Sequence, residues 1–117
     1  MQREIKFRAW DKQEGKMYEW ENFGFGRRDL YLNWNRVIGD PDRFNIMQFT
    51  GLKDKNGKEI YEEDILRIGE GLIREVYWDE DNSRWGMKDQ TTFGPIIFER
   101  WAEVIGNIYE NPELLKP

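Results

Sequence analysis

Met47-Gln48-Phe49-Thr50-Gly51-Leu52-Lys53-Asp54-Lys55-Asn56-Gly57-Lys58-Glu59-Ile60-Tyr61 is the stretch that decides the fold. Its centre, Asn56-Gly57, is a strong short-range signal for a β-hairpin. A two-residue type I′ turn needs positive φ at both central positions, and Asn followed by Gly tolerates that best. Apolar residues stand on either side, Phe49 and Leu52 before the turn, Ile60 and Tyr61 after it. Two strands joined tightly at 56–57 are expected. The stretch speaks to fold and hardly at all to chemistry.

Working outward, the same short-strand grammar recurs. Towards the N-terminus, Ile5, Phe7 and Ala9 alternate with Lys6 and Arg8, the period of a strand with one wet face. Asp11 to Gly15 reads as a loop with Gly15 at a left-handed position, and Met17 to Trp20 as the returning strand. Phe23-Gly24-Phe25-Gly26 is a glycine-loosened aromatic stretch, and Leu30 to Trp34 a third short strand. Residues 35–43, with the turn Gly39-Asp40-Pro41-Asp42, form a variable loop, and Phe44 to Thr50 leads into the central hairpin. Towards the C-terminus, Glu62-Glu63-Asp64 makes a polar corner before Ile65 to Ile68. Leu72 to Trp78 and Arg84 to Lys88 then form a second hairpin around Asp79–Ser83. Gly94-Pro95 breaks the chain. Ile96 to Ile105 is ambiguous between strand and helical stripe and is read as strand, with Ile108-Tyr109 continuing it past Gly106. Asn111-Pro112 pairs an N-cap with a proline at the first helical position, starting at most one turn. Turn signals about every 8–12 residues between short strands describe a small barrel or sandwich. The fold class is mostly β, a barrel-like domain of short antiparallel strands with little helix.

Composition bounds the chemistry. The 117 residues suit one domain, 1–117, or two small subdomains at about 1–45 and 46–117 that share a core. With no cysteine, no disulfide, thiol nucleophile or cysteine-ligated zinc can form; with no histidine, the commonest general base and metal ligand are both missing. The N-terminus is charged and lacks the apolar region of a signal peptide, and no run approaches the ~18 apolar residues of a membrane span. A soluble, intracellular chain is expected. Net charge is −5, unevenly spread: residues 1–60 hold 12 Lys+Arg against 10 Asp+Glu, and residues 61–117 hold 6 against 13. An acidic chain is repelled by phosphate backbones, although the first half alone is not. The 6 Trp, 5 Tyr and 7 Phe supply the core of a small β domain, with the competing reading that two or three Trp sit on an exposed binding face.

Motifs that carry chemistry are incomplete. Gly24-Phe25-Gly26 begins like a dinucleotide fingerprint, but Asp29 stands where the third glycine belongs and no βαβ unit surrounds it. Asp79, Asp81 and Ser83 begin like a calcium loop, but Arg84 and Gln90 replace its central glycine and closing glutamate. Glu59, Glu62, Glu63 and Asp64 are the densest carboxylates. A catalytic or magnesium-holding pair there would need unlike environments, and a polar corner is the simpler reading. No nucleophile elbow and no phosphate-binding lysine loop occurs. No cofactor, no metal and no catalytic residue is expected. Arg27 and Arg28, with Tyr31, Trp34, Arg36 and Arg43 near in sequence, are the best candidate binding residues, since arginines beside exposed rings grip single strands.

Three blocks of this sequence resemble the YopX family of phage and prophage proteins. They are Arg3 to Asp11 with Lys16-Met17-Tyr18, then Met47 to Glu62 continuing into Asp64-Ile65, and Val104 to Leu115. The signature residues are Phe49, Gly51, Asp54, Asn56, Gly57 and Ile60, followed by Tyr61, Asp64, Gly106, Asn107, Tyr109 and Pro112, and their composition of turn formers and apolar residues points to structural roles. The family usually has glycine where this chain has Glu63, so a positive-φ corner there would leave Glu63 strained or rebuilt. The resemblance implies a mostly β protein whose later half is similar to an SH3-type barrel. It also implies a phage-encoded product of a bacterial cytoplasm, without an assigned activity. Taken with the missing catalytic machinery, it leads to the expectation of a non-enzymatic module that binds a host or phage protein, or a second copy of itself, without a membrane. Nucleic-acid binding through 27–43 is the alternative, and a metal-assisted carboxylate enzyme the remote one.

Overall fold

The alternation near the N-terminus does give a strand, β1 (Phe7–Asp11), which pairs antiparallel with β2 (Lys16–Tyr18). The computed structural model describes residues 4–24, 32–89, 92–95 and 99–116. It divides into two compact units, Gln2–Gln48 and Phe49–Pro117. The strands make two antiparallel sheets, one of them a half-barrel, with little helix.

In the first unit β1 also pairs with β5 (Phe44–Lys53), Phe7 opposite Gln48 and Asp11 opposite Phe44. The face of β1 expected to be wet is not wholly so: Arg8 is buried, with Nε donating to Met47 Sδ at 3.4 Å. Asp11 closes the β1–β2 loop. Its carboxylate accepts from the amides of Gln13 and Glu14 and takes a two-pronged contact from Arg43, at 3.0 and 2.8 Å. Between these strands lie two short segments, β3 (Phe23–Gly24) and β4 (Leu32–Asn33), paired in parallel. The third strand expected over 30–34 ends early because Asn33 caps a helix. Its side-chain oxygen accepts from the Asn35 amide at 2.8 Å, and α1 runs Trp34–Ile38 through the region expected to be loop. The core of this unit is Ala9, Phe23, Val37 and Phe44, with Tyr18, Trp20 and Trp34 packed against it.

The second unit begins within β5. Phe49 pairs with Tyr61 and Lys53 with Glu59 of β6 (Glu59–Tyr61), so four residues of β5 advance against two of β6. Gly51, at φ +87°, sits in this bulge. The Thr50 hydroxyl fills the gap it leaves, donating to the Ile60 carbonyl at 2.7 Å and accepting from the Leu52 amide at 3.1 Å. The turn is not the expected type I′. Only Gly57 has positive φ (+82°), Asn56 does not, and the loop spans 54–58. The cause is Asp54, whose Oδ1 accepts from the amides of Asn56 and Lys58, both at 2.9 Å, and so specifies a wider turn.

A five-stranded sheet follows, in the order β10-β9-β8-β7-β11. Its members are β7 (Asp64–Ile68), β8 (Leu72–Asp79), β9 (Arg84–Lys88), β10 (Phe93–Pro95) and β11 (Ala102–Asn107). Ile60, Leu66, Ile68, Val76, Met87, Ala102 and Val104 form its core, with Leu52 and Trp85 packed alongside. The ambiguous run resolves at its end into a 3-10 turn, Glu99–Trp101, then β11; residues 96–98 lie outside the described set. The strand does not continue through Ile108-Tyr109, which form a turn. There Asn107 Oδ1 accepts from the amides of Tyr109 and Glu110, and the Asn111 side chain crosses over Gly106, where an added Cβ would stand 2.6 Å from Asn111 Cγ. Asn111 therefore does not cap the 3-10 turn Pro112–Leu115; its oxygen accepts from the Asn107 amide instead.

The outer edge of β11 is held by the hairpin. Asp54 Oδ2 accepts from the Val104 amide at 2.9 Å, and the Lys55 amide donates to the Ala102 carbonyl at 3.0 Å. Burial pushes the Asp54 carboxyl up, but the amides of Val104, Lys58 and Asn56 outweigh it and hold the group below its ordinary value. A depressed folded pKa gives stability that is present above the unfolded value and lost as pH falls through the folded one. Asp54→Asn therefore costs about 2 kcal/mol at pH 7, read by urea unfolding. The gap to the wild-type chain closes as the pH falls below the ordinary 3.8; a gap constant with pH would show that the charge does not matter.

Candidate functional site

The β7–β8 turn opens a cleft. Ile68 ends β7 and pairs with Leu72 on one side and Ala102 on the other, so it is enclosed and buried. Gly69, at φ +63°, turns the chain outward, and its amide reaches the Trp101 carbonyl at 3.4 Å. That arrangement sets Leu72 and Trp101 beside the turn with 54% and 65% of their surface exposed. Ile68, Gly69, Glu70, Gly71, Leu72 and Trp101 line a cleft of about 660 Å³. Among the described residues of the lining, Glu70 is the single ionisable side chain. A surface of this kind can bury apolar side chains of a ligand, and it offers one carboxylate to orient them.

Of the residues singled out in the sequence, Arg27, Arg28 and Tyr31 lie outside the described residues. Trp34 is described and half-buried. It stacks on Phe7 at 5.5 Å and meets Trp20 and Phe23 edge-on at 5.7 and 5.0 Å. Its ring is thus part of the packing of the first unit, in the tilted geometries that aromatic rings prefer. The carboxylate run is spread over separate tasks. Asp64 is buried and accepts from the Tyr61 amide at 2.7 Å, which closes the corner after β6. Glu63 has φ +69°, the left-handed corner anticipated from the sequence, and its carboxylate accepts from the Tyr109 hydroxyl. No three carboxylates among the described residues are placed to hold a metal ion. The Asp79 loop is occupied by its own chain: the carboxylate accepts from the Asn82 amide and side chain and pairs with Arg84.

The signature residues stand at corners and in the core. Phe49 and Tyr61 face each other at 5.5 Å between ring centres, and Ile60 is fully buried. Asp54, Asn56 and Gly57 build the hairpin turn, while Gly106, Asn107 and Tyr109 build the C-terminal turn that Pro112 follows.

Sequence reading missed two features. One is the cleft, whose only signal was a Gly-Glu-Gly turn between large apolar residues. The other is Glu75, which reads as an ordinary wet-face residue of β8. Burial raises its carboxyl above the ordinary value, Lys88 opposes this and Glu63 adds to it.

The family model described as YopX protein matches residues 6–116. The chain is also similar to the solved structure titled "Crystal structure of protein EF1440 from Enterococcus faecalis", at 30% identity and a TM-score of 0.68, over 98% of this chain and 100% of that one. No curated protein matches.

The aromatic packing sets an expectation for Trp34. Trp34→Ala lowers stability by about 3 kcal/mol, the cost of emptying a packed aromatic site, measured by chemical denaturation. A change below about 0.5 kcal/mol, as at an ordinary surface position, would return Trp34 to the list of free binding residues.

Proposed function

The chain belongs to the YopX family, and from that premise we propose that it is a phage or prophage accessory protein that works without catalysis, as a binding module for a protein partner in the bacterial cytoplasm. The observation that carries the reading is the cleft at the β7–β8 turn, where Leu72 and Trp101 stay exposed beside a buried Ile68. Exposed tryptophan beside an aliphatic side chain is the material of interface anchors, because each buries a large area with little loss of side-chain freedom. A partner with an apolar side chain for the cleft and a basic or amide group for Glu70 fits this lining. The five-stranded antiparallel sheet that carries it suits the comparison with SH3-type barrels, which is an analogy of fold. The reading is also supported by a chain without histidine or cysteine.

The test is retention of a partner by tagged protein from phage-infected lysate, with and without nuclease, beside the double variant Leu72→Ser, Trp101→Ser. Exposed substitutions change stability little, so circular dichroism of the variant is expected to match the parent. The expected result is a partner that survives nuclease and is lost with the double variant. A partner lost with nuclease would move the function to nucleic acid. A partner held equally by both proteins would remove the cleft from the account.

A further inference from the structure

Asn56-Gly57 is the sole Asn-Gly pair in the sequence. Both residues are exposed, and a Cβ built on Gly57 would meet nothing within 4 Å. No hydrogen bond ties the Asn56 carboxamide among the described residues. The backbone beside it is tied. The Asn56 amide donates to Asp54 Oδ1 at 2.9 Å, and the Gly57 amide donates to the Asp54 carbonyl at 3.0 Å. Asp54 thus holds the amides on both sides of a free carboxamide.

Asparagine is chemically labile. Its side-chain carbon is open to attack by the backbone nitrogen of the residue that follows, and glycine, without a Cβ, leaves that approach clear. The Gly57 nitrogen gives its proton to hydroxide and bonds to Asn56 Cγ. The bond from Cγ to Nδ2 breaks, and the nitrogen leaves as ammonia with a proton from water, which restores the hydroxide. Water then adds across one carbonyl of the cyclic imide. Opening on the side-chain side leaves aspartate at position 56. Opening on the backbone side leaves isoaspartate, whose chain runs through the former side chain and is a methylene longer. Nothing is oxidised or reduced.

We propose that Asn56 is a site of spontaneous deamidation, slowed by Asp54, and that the reaction loosens the hold of Asp54 on the edge of β11. The Gly57 nitrogen attacks only after its hydrogen bond to the Asp54 carbonyl opens, so the rate follows local opening of the loop. The product either sets a second carboxylate near Asp54 or lengthens the backbone inside the turn that Asp54 Oδ1 closes on the Lys58 amide at 2.9 Å. Both changes disturb a carboxylate whose Oδ2 accepts from the Val104 amide at 2.9 Å. With that bond weakened, the edge of β11 presents an unpaired amide to other chains. Asn82-Ser83 is the contrast within the same chain. Its carboxamide donates to Asp79 Oδ2 at 2.9 Å, and the residue that follows carries a Cβ.

Peptide mapping by mass spectrometry, with isoaspartate read separately by enzymatic methylation, tests this on the full chain held at mildly alkaline pH. The folded wild-type chain is expected to convert at Asn56 several-fold more slowly than the same chain unfolded in guanidinium. Asp54→Ala is expected to recover most of that difference, with Asn82 slower than Asn56 in both proteins. Asn56→Asp carries one of the products. It is expected to lower the protection of the Val104 amide from hydrogen exchange several-fold, while Leu66 and Val76 in the core hold theirs. Absence of conversion in the folded chain, equal rates folded and unfolded, or an Asp54→Ala protein no faster than wild type would each overturn the proposal. So would Asn82 ahead of Asn56, unchanged Val104 protection in Asn56→Asp, or a parallel fall at Leu66 and Val76. If Asp54→Ala fails to fold, the folded and unfolded rates of the wild type and the exchange of Asn56→Asp decide.

Discussion

One carboxylate ties together chain segments fifty residues apart. Asp54 accepts backbone amides from Asn56 and Lys58 in its own hairpin and from Val104 in β11. Hydrogen bonds to an ionised acceptor are stronger than neutral ones, and three of them offset the cost of burying the charge. The geometry has two effects at once. It widens the hairpin turn beyond the two residues that Asn56-Gly57 suggests, and it covers the open side of an edge strand, which would otherwise present free amides to other chains. The five-stranded sheet thus ends on a hairpin loop at β11 and on the short, proline-terminated β10 at its other edge.

The same device recurs. Asp11 accepts two amides of its loop while Arg43 holds its carboxyl below the ordinary range. Asp79 does the like with Asn82 and Arg84, and side-chain oxygens of Asp89, Asp64 and Asn107 accept the amides of Thr92, of Tyr61, and of Tyr109 and Glu110. Much of what looks in composition like an acidic surface is used at turns, where a short side chain can stand in for missing backbone acceptors. The carboxylates of the Glu59–Asp64 run and of the Asp79 loop are likewise spread over separate contacts. Asp64 and Asp79 accept backbone amides, and Glu63 accepts the Tyr109 hydroxyl.

Period-two alternation and turn residues made most of the β architecture legible: β1, β2, the hairpin at 54–58, the β8–β9 pair and the mostly β class follow from local pattern. What escaped were features set by which partner a side chain or strand takes. Asn33 reads as a strand end until its side chain is seen to cap α1. Asn111 reads as a cap until its oxygen is seen on Asn107. Arg8 reads as a wet-face cation until it is found buried against Met47. The cleft was illegible for a related reason: Trp101 lies some thirty residues from Leu72, and only the pairing of β11 with β7 brings them together. Position 63 is the counter-example, since departure from the family's glycine pointed to a left-handed corner, and the corner is there.

That corner restricts how the sequence can drift. Glycine at 63 would remove the backbone strain and also the carboxylate that meets Tyr109. Asparagine tolerates the left-handed region, but its shorter side chain would have to span the same gap. A β-branched residue would meet the steric penalty with no bond in return. Any replacement at 63 thus trades backbone strain against the contact with Tyr109.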